Sequence, residues 1–186
     1  RTGQILNLTS LSNDAGIDQK TVAAWLSVLQ SSYIIYLLRP FHSNFNKRII
    51  KTPKLYFYDT GVASSLLGIS QAKQIATHAA KGALFENMII SELLKDRFNS
   101  GQADNIYYWR DKTGNEVDIL ADKAGKLTAI ELKAGETVSP DFFKGLRYFS
   151  SLHNKIREKL LVYGGRQEQK RSDGIMVRPW NSLTWL

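Results

Sequence analysis

Asp118, Glu131 and Lys133 are residues whose types and spacing can do chemistry. They lie in two runs, Asn115-Glu116-Val117-Asp118-Ile119-Leu120 and, after a short turn, Ala129-Ile130-Glu131-Leu132-Lys133. Both runs read as strands. Residues two apart in a strand point the same way. Glu131 and Lys133 are therefore expected on one face, with Leu132 on the other. Glu116 and Asp118 repeat the pattern one strand earlier. The spacing predicts a cluster of Asp118, Glu131 and Lys133 at a sheet edge, with room for Mg²⁺ or Mn²⁺. Two carboxylates offer the hard oxygen ligands such an ion prefers. The ion helps to activate a water, and a neighbouring lysine offsets charge building on a phosphate. Those are the parts of metal-assisted phosphodiester hydrolysis.

A further acid, Glu86, falls in the first turns of a long helical stretch, where the helix dipole favours it. Its neighbours Leu84, Phe85 and Ile90 are apolar, and an acid in such surroundings needs a partner. A metal is one partner; a backbone amide is another. Likewise Glu-x-Lys on a strand is also the pattern of an ordinary half-exposed ion pair, which contributes little. The ordered set is more specific than any member: a helix with Glu86, a strand with Asp118, a hairpin, then a strand with Glu131 and Lys133.

Several elements must position these residues. Leu8–Ala15 and Gln19 to about Gln30 read as helices around the turn Gly16-Ile17-Asp18, with Asp18 capping the second. Val22, Trp25, Leu26 and Leu29 recur at helical spacing and predict a buried stripe. Tyr33–Leu38 and Lys54–Tyr58 read as strands on either side of a polar, basic segment. Together they outline a winged helix-turn-helix over residues 1–78. A short helix is expected over Val62–Leu67, and Ser70–His78 is polar and reads as a linker. Beyond it come a helix over Gly82–Phe98, strands over Ile106–Arg110, Glu116–Ala121 and Leu127–Lys133, a helix over Pro140–Leu152, and strands over Leu160–Tyr163 and Ile175–Arg178. Residues 79–186 are thus expected to form a mixed sheet flanked by helices, an α/β arrangement.

Tyr107, Tyr108 and Trp109 read as a strand with alternating buried and exposed rings, and base stacking is the rival reading. Trp180 and Trp185 read as packing anchors. Arg166–Asp173 reads as a mobile hairpin loop.

The composition is that of a folded protein, with 43% hydrophobic and 23% charged residues among 186. There is no cysteine, which excludes disulfides and thiolate metal sites, and only three histidines, which argues against an imidazole-built zinc site. The formal net charge of +8 favours a polyanionic partner. Residues 1–78 carry eight Lys/Arg against three Asp/Glu, whereas residues 79–186 carry seventeen against fourteen. From Gln19 to Tyr58 there is no acidic residue. Lys20 would open a recognition helix, and Lys47, Arg48 and Lys51 would lie on the wing, where they can straddle a phosphate backbone. Arg110, Lys112 and Lys144 can line a phosphate path near the acidic cluster. The plain alternative is a solvated basic face on a packing module. The apolar runs are too short to cross a bilayer and no signal peptide is visible, so a cytoplasmic location is expected. The absence of an initial methionine suggests a piece of a longer polypeptide.

The order and spacing of Glu86, Asp118, Glu131 and Lys133 resemble the PD-(D/E)XK nuclease superfamily, in which a helical Glu, a strand Asp and a Glu-x-Lys pair build the metal site. Val117 stands where that motif has its proline. Nearly the whole chain resembles a C-terminal domain of unknown function of prokaryotic AAA+-type ATPases. Lys54-Leu55-Tyr56-Phe57-Tyr58-Asp59-Thr60-Gly61, Gly82-Ala83-Leu84-Phe85-Glu86-Asn87, Tyr107-Tyr108-Trp109-Arg110, Glu116-Val117-Asp118 and Ile130-Glu131-Leu132-Lys133-Ala134 carry that likeness. The resemblance implies a winged-helix segment followed by a restriction-endonuclease-like domain, with an ATPase module upstream in the same polypeptide. It implies Glu86, Asp118 and Glu131 as metal ligands and Asp118, Glu131 and Lys133 as the catalytic set. No G-x-x-x-x-G-K-[ST] loop occurs, so no ATP site is expected in this chain. Three functions follow: a DNA-associated metal-dependent endonuclease, a catalytically silent module that binds DNA or protein, and a structural or homo-oligomerising element of the ATPase.

Overall fold

The computed structural model describes residues 1–41 and 50–182. Helix α1 (Leu8–Ala15) starts at Asn7, whose side chain accepts from the Ser10 N–H. It stops at Gly16, whose φ of 67° is left-handed and suits a residue without a β-carbon. Asp18 caps α2 (Gln19–Ser31) by accepting from the Lys20 and Thr21 N–H groups, as its position predicts. Strands β2 (Ile35–Leu38) and β3 (Lys54–Phe57) pair antiparallel, and β1 (Gln4–Ile5) joins the other edge of β3.

The expected buried stripe on α2 needs correcting. Val22 is buried, but Trp25 is 58% exposed and Leu26 and Leu29 are only half-buried. Among the described residues the cause is a shortage of covering surface. Helix α2 meets mainly α1, which buries no residue of its own, and the start of β2. Periodicity reports which face is apolar, not whether anything lies against it.

Short helices α3 (Thr60–Leu66) and α4 (Ala72–Ile75) lead to the long helix α5 (Lys81–Asn99). The segment expected to be a linker therefore contains a helix. Gln74 Oε1 accepts from the Ser70 and Gln71 N–H groups, and Ile75 packs against a small cluster of Ala63, Ile69 and Leu84.

The remaining strands are β4 (Ile106–Arg110), β5 (Glu116–Lys123), β6 (Lys126–Lys133), β7 (Ile156–Tyr163), β8 (Gln169–Lys170) and β9 (Met176–Pro179). They form one six-stranded mixed sheet in the order β4-β5-β6-β7-β9-β8. Pairing is antiparallel from β4 to β6, parallel from β6 through β7 to β9, and antiparallel at the β8 edge. The β6–β7 connection carries a 3₁₀ turn over Pro140–Phe143 and helix α6 (Lys144–Leu152), because parallel neighbours need a crossover. The stretch expected to be only a hairpin loop supplies β8, which covers the edge of β9.

Each face of the sheet is covered. Ile119, Ile130, Leu132 and Val162 pack with Ile89, Ile90, Leu93 and Leu94 of α5. Burying such side chains stabilises by roughly 1.5–3 kcal/mol each. Leu120, Ala129, Leu161 and Val177 pack with Leu146 and Phe149 of α6 on the other side. Tyr36, Leu38 and Tyr56 of the small sheet belong to the α5 cluster, so the two regions share a core. Asn87 reinforces the join. Its Oδ1 accepts from Thr2 Oγ1 and the Phe57 N–H, each over 2.7 Å, and its Nδ2 donates to the Phe57 carbonyl and Thr60 Oγ1.

The rings of Tyr107, Tyr108 and Trp109 do not alternate in exposure as expected. Tyr108 and Trp109 are both buried and Tyr107 is half-buried. Tyr107 pairs with Leu120 but Trp109 with Val117, so the β5 side holds an extra residue between the two pairs. That extra residue is a β-bulge in β5. On β4 the rings still alternate in direction, Tyr108 toward the α5 cluster and Tyr107 and Trp109 toward the α6 cluster, and exposure does not alternate because both faces are covered. Trp180 is 40% exposed rather than an anchor, and Trp185 lies outside the described residues.

Candidate functional site

The bulge lies beside the acidic cluster. Asp118 Oδ2 accepts from the Leu132 N–H of β6 over 2.8 Å, beyond the last β5–β6 pair, Ile119–Ile130. Glu131 and Lys133 share a face, as their spacing requires, and Lys133 Nζ donates to Glu131 Oε1 over 2.6 Å. The Lys133 ammonium also stands over the Phe142 ring. Helix α5 carries Glu86 to the same place. Glu86, Glu116, Asp118, Glu131 and Lys133 all line one cleft of about 630 Å³.

Two further residues complete the cluster from the small sheet. Lys54 and Tyr56, two apart on β3, both reach Glu86. Lys54 Nζ lies 2.9 Å from Glu86 Oε1 and also pairs with Glu116 Oε1. Arg110 holds the other oxygen of Glu116 at 3.0 Å. Lys54 is only 3% exposed. Sequence reasoning named it only as the start of a strand and of a family-like run, with no part in the site. The available signal was a lysine sharing a strand face with a tyrosine inside an otherwise apolar strand. Glu116 was noted only as repeating the carboxylate pattern.

The electrostatics follow from crowding carboxylates under cover. Burial pushes Glu131 up to about 8, and the charge of Asp118 adds to the shift against the opposing pull of Lys133. Burial, then Asp118, pushes Glu86 up to about 7 despite Lys54 and Tyr56. Burial also raises Asp118, with Lys54 and Lys133 opposing. For the two lysines burial works against the charged form, yet the surrounding carboxylates prevail. Glu86, Asp118 and Glu116 raise Lys54, and Glu131 and Asp118 raise Lys133.

One oxygen is left over. Glu131 Oε2 is buried and, among the described residues, finds no hydrogen-bond partner. Gly145, in the first turn of α6, comes close to it. A β-carbon there would lie 3.3 Å from Glu131 Oε2 and would collide with the Glu116 carbonyl oxygen. The donor set is the all-oxygen kind that suits Mg²⁺ or Mn²⁺. Among the described residues no group of three or more Asp, Glu or His side chains stands ready to hold a metal ion. Mg²⁺ commonly takes only one or two protein carboxylates and keeps several waters. Asp118 and Glu131 fit that lesser requirement, while Glu86 is already engaged by Lys54 and Tyr56.

The basic residues singled out in the sequence do not all converge. Arg110 and Lys144 line the same cleft, with Lys144 76% exposed and paired to Asp141. Lys112 is exposed in the turn before β5. Lys20 is exposed at the start of α2, and Lys51 lines a separate cleft with Arg39 and Tyr107. Lys47 and Arg48 lie outside the described residues.

Residues 81–183, more than half of the chain, match the family described as a domain of unknown function, DUF4143. The chain belongs to that family. The DUF4143 match spans α5, the whole six-stranded sheet and α6, hence Glu86, Asp118, Glu131 and Lys133. Residues 1–73 match a second domain of unknown function, DUF8612, which contains Lys54 and Tyr56. This DUF4143 chain is similar to the uncharacterized protein Rv2008c of Mycobacterium tuberculosis and to the uncharacterized protein Mb2031c of Mycobacterium bovis. Each is 27% identical over 183 residues, 97% of this chain and 40% of the relative. The chain thus spans well under half the length of these relatives. No solved structure matches it. Among the described residues no helix is long and apolar enough to cross a membrane.

Proposed function

We propose that this chain is a DNA-associated region of an ATPase-bearing polypeptide, built as a winged helix-turn-helix over residues 1–78 and a PD-(D/E)XK nuclease-like domain over residues 79–186. Its cleft cleaves phosphodiester bonds with Mg²⁺ or Mn²⁺. The observation that carries this reading is the meeting of Glu86, Asp118, Glu131 and Lys133 in one cleft, with a buried Glu131 oxygen left unpaired among the described residues. Helix α1, helix α2 and the small antiparallel sheet support the winged-helix assignment.

Asp118 and Glu131 would hold the ion. When bound, it supplies Lewis-acid polarisation of the scissile phosphate and a more acidic water. Lys133 donates to Glu131 and has further N–H groups for a water or a phosphate oxygen. Arg110 and Lys144 give the cleft a cationic border for the strand.

A second reading, a silent module that binds nucleic acid or protein, is favoured by the ion pairs that already occupy Glu86 and Glu116. Incubation of duplex and single-stranded DNA with Mn²⁺ separates the two. The nuclease reading expects cleavage that falls at least ~100-fold in Glu131→Ala and Lys133→Ala. Intact DNA after prolonged incubation, together with salt-sensitive binding that survives Lys133→Ala, establishes the silent module instead.

A further inference from the structure

Lys54 is a buried cation set among the carboxylates of a site proposed to take a divalent one. It arrives on β3, outside the region that supplies Glu86, Asp118, Glu131 and Lys133. Its Nζ pairs with one oxygen of Glu86 and one of Glu116, and the ammonium stands 5.5 Å from the centre of the Tyr108 ring. Tyr56, on the same face of β3, donates to the same Glu86 oxygen. Two features of one short strand therefore satisfy Glu86 with no metal present. Glu131, on β6 in the same cleft, keeps a buried oxygen with no partner among the described residues.

We propose that Lys54 is the site's built-in counter-ion, competing with a divalent cation for the carboxylates of the cleft. In the metal-free protein it neutralises Glu86 and Glu116 and ties β3 to α5 and β5. A divalent ion entering beside Asp118 and Glu131 meets a positive charge already in the cleft. Binding then requires that the ammonium withdraw or that the ion bind more weakly. A shift of β3 that lifts Lys54 away would open the site to metal. The small sheet thereby gains control over the acidic cleft. This inference rests on the metal-dependent reading above.

The test is Mn²⁺ binding to the whole chain by calorimetry, comparing wild type with Lys54→Met and Lys54→Arg. Removing the charge is expected to tighten Mn²⁺ binding on the order of tenfold, whereas Lys54→Arg stays close to wild type. Equal or weaker Mn²⁺ binding in Lys54→Met than in wild type overturns the proposal and leaves the metal site standing. Absence of Mn²⁺ binding in wild type and both variants overturns the metal reading and this inference with it. A second measurement needs no variant. Amine labelling of wild type with acetic anhydride, read by mass spectrometry, is expected to modify Lys54 severalfold more when Mn²⁺ is bound. Unchanged protection of Lys54 at saturating Mn²⁺ also overturns the proposal.

Discussion

Glu131 illustrates how much depends on a single side chain. It is nearly buried, one oxygen is held by Lys133 and the other has no partner among the described residues. Together with Glu86 it retains its proton to higher pH than a free carboxyl, to about 8 and about 7 respectively. Both values lie above those of the unfolded chain. The associated stabilisation is complete below the ordinary carboxyl range and disappears as pH rises through about 7 to 8. The metal-free protein is therefore expected to unfold at lower temperature at about pH 8.5 than at about pH 6, and Glu131→Gln should flatten that difference. Thermal melts in the presence of a chelator check this. Equal midpoints for wild type at the two pH values would rule out the raised carboxyl groups. At this scale the sequence announced that Glu131 and Lys133 share a face, because Glu-x-Lys on a strand places both groups on one side. It could not announce Lys54, whose significance depends on where β3 lies relative to α5.

Elements bring these residues together by close approach. Helix α6 starts directly against β5, and Gly145 makes that distance attainable, since any β-carbon would strike the Glu116 carbonyl. Gly145→Ala should push α6 away from the sheet and cost about 1–3 kcal/mol of stability. Urea unfolding measures this. A neutral outcome would mean that α6 sits farther from β5. The bulge in β5 is the second such device. It adds a residue between Val117 and Leu120, the stretch that holds Asp118, and a bulge re-aims the side chains around it. Strands β4 to β6, helix α5 and the Asp18 cap of α2 were readable from periodicity and capping chemistry. The bulge and helix α4 were not. Both depend on partners distant in sequence or on a single side-chain bond such as that of Gln74.

Across the whole molecule, Asn87 reinforces the join between the small sheet and the α/β region, which also share a core. Its amide satisfies both backbone groups of Phe57 as well as Thr2 and Thr60. Asn87→Ala strands those buried groups and should destabilise the protein by about 2–4 kcal/mol, measurable by denaturant unfolding. A loss below about 0.5 kcal/mol would show that the two regions hold together without it. The amino-acid order alone established the alternation of elements, the α/β character of the second region, the basic bias of the first, and a carboxylate–lysine set on neighbouring strands. Those are local properties, set by periodicity, capping and side-chain type. Folding decided the rest: that Lys54 enters the acidic cleft and Tyr56 bonds Glu86, that Trp25 stays uncovered, and that Arg110 and Lys144 border the cleft while Lys20 and Lys51 lie elsewhere. Each of these depends on which surfaces meet, and burial and charge pairing between distant segments are properties of the assembled chain.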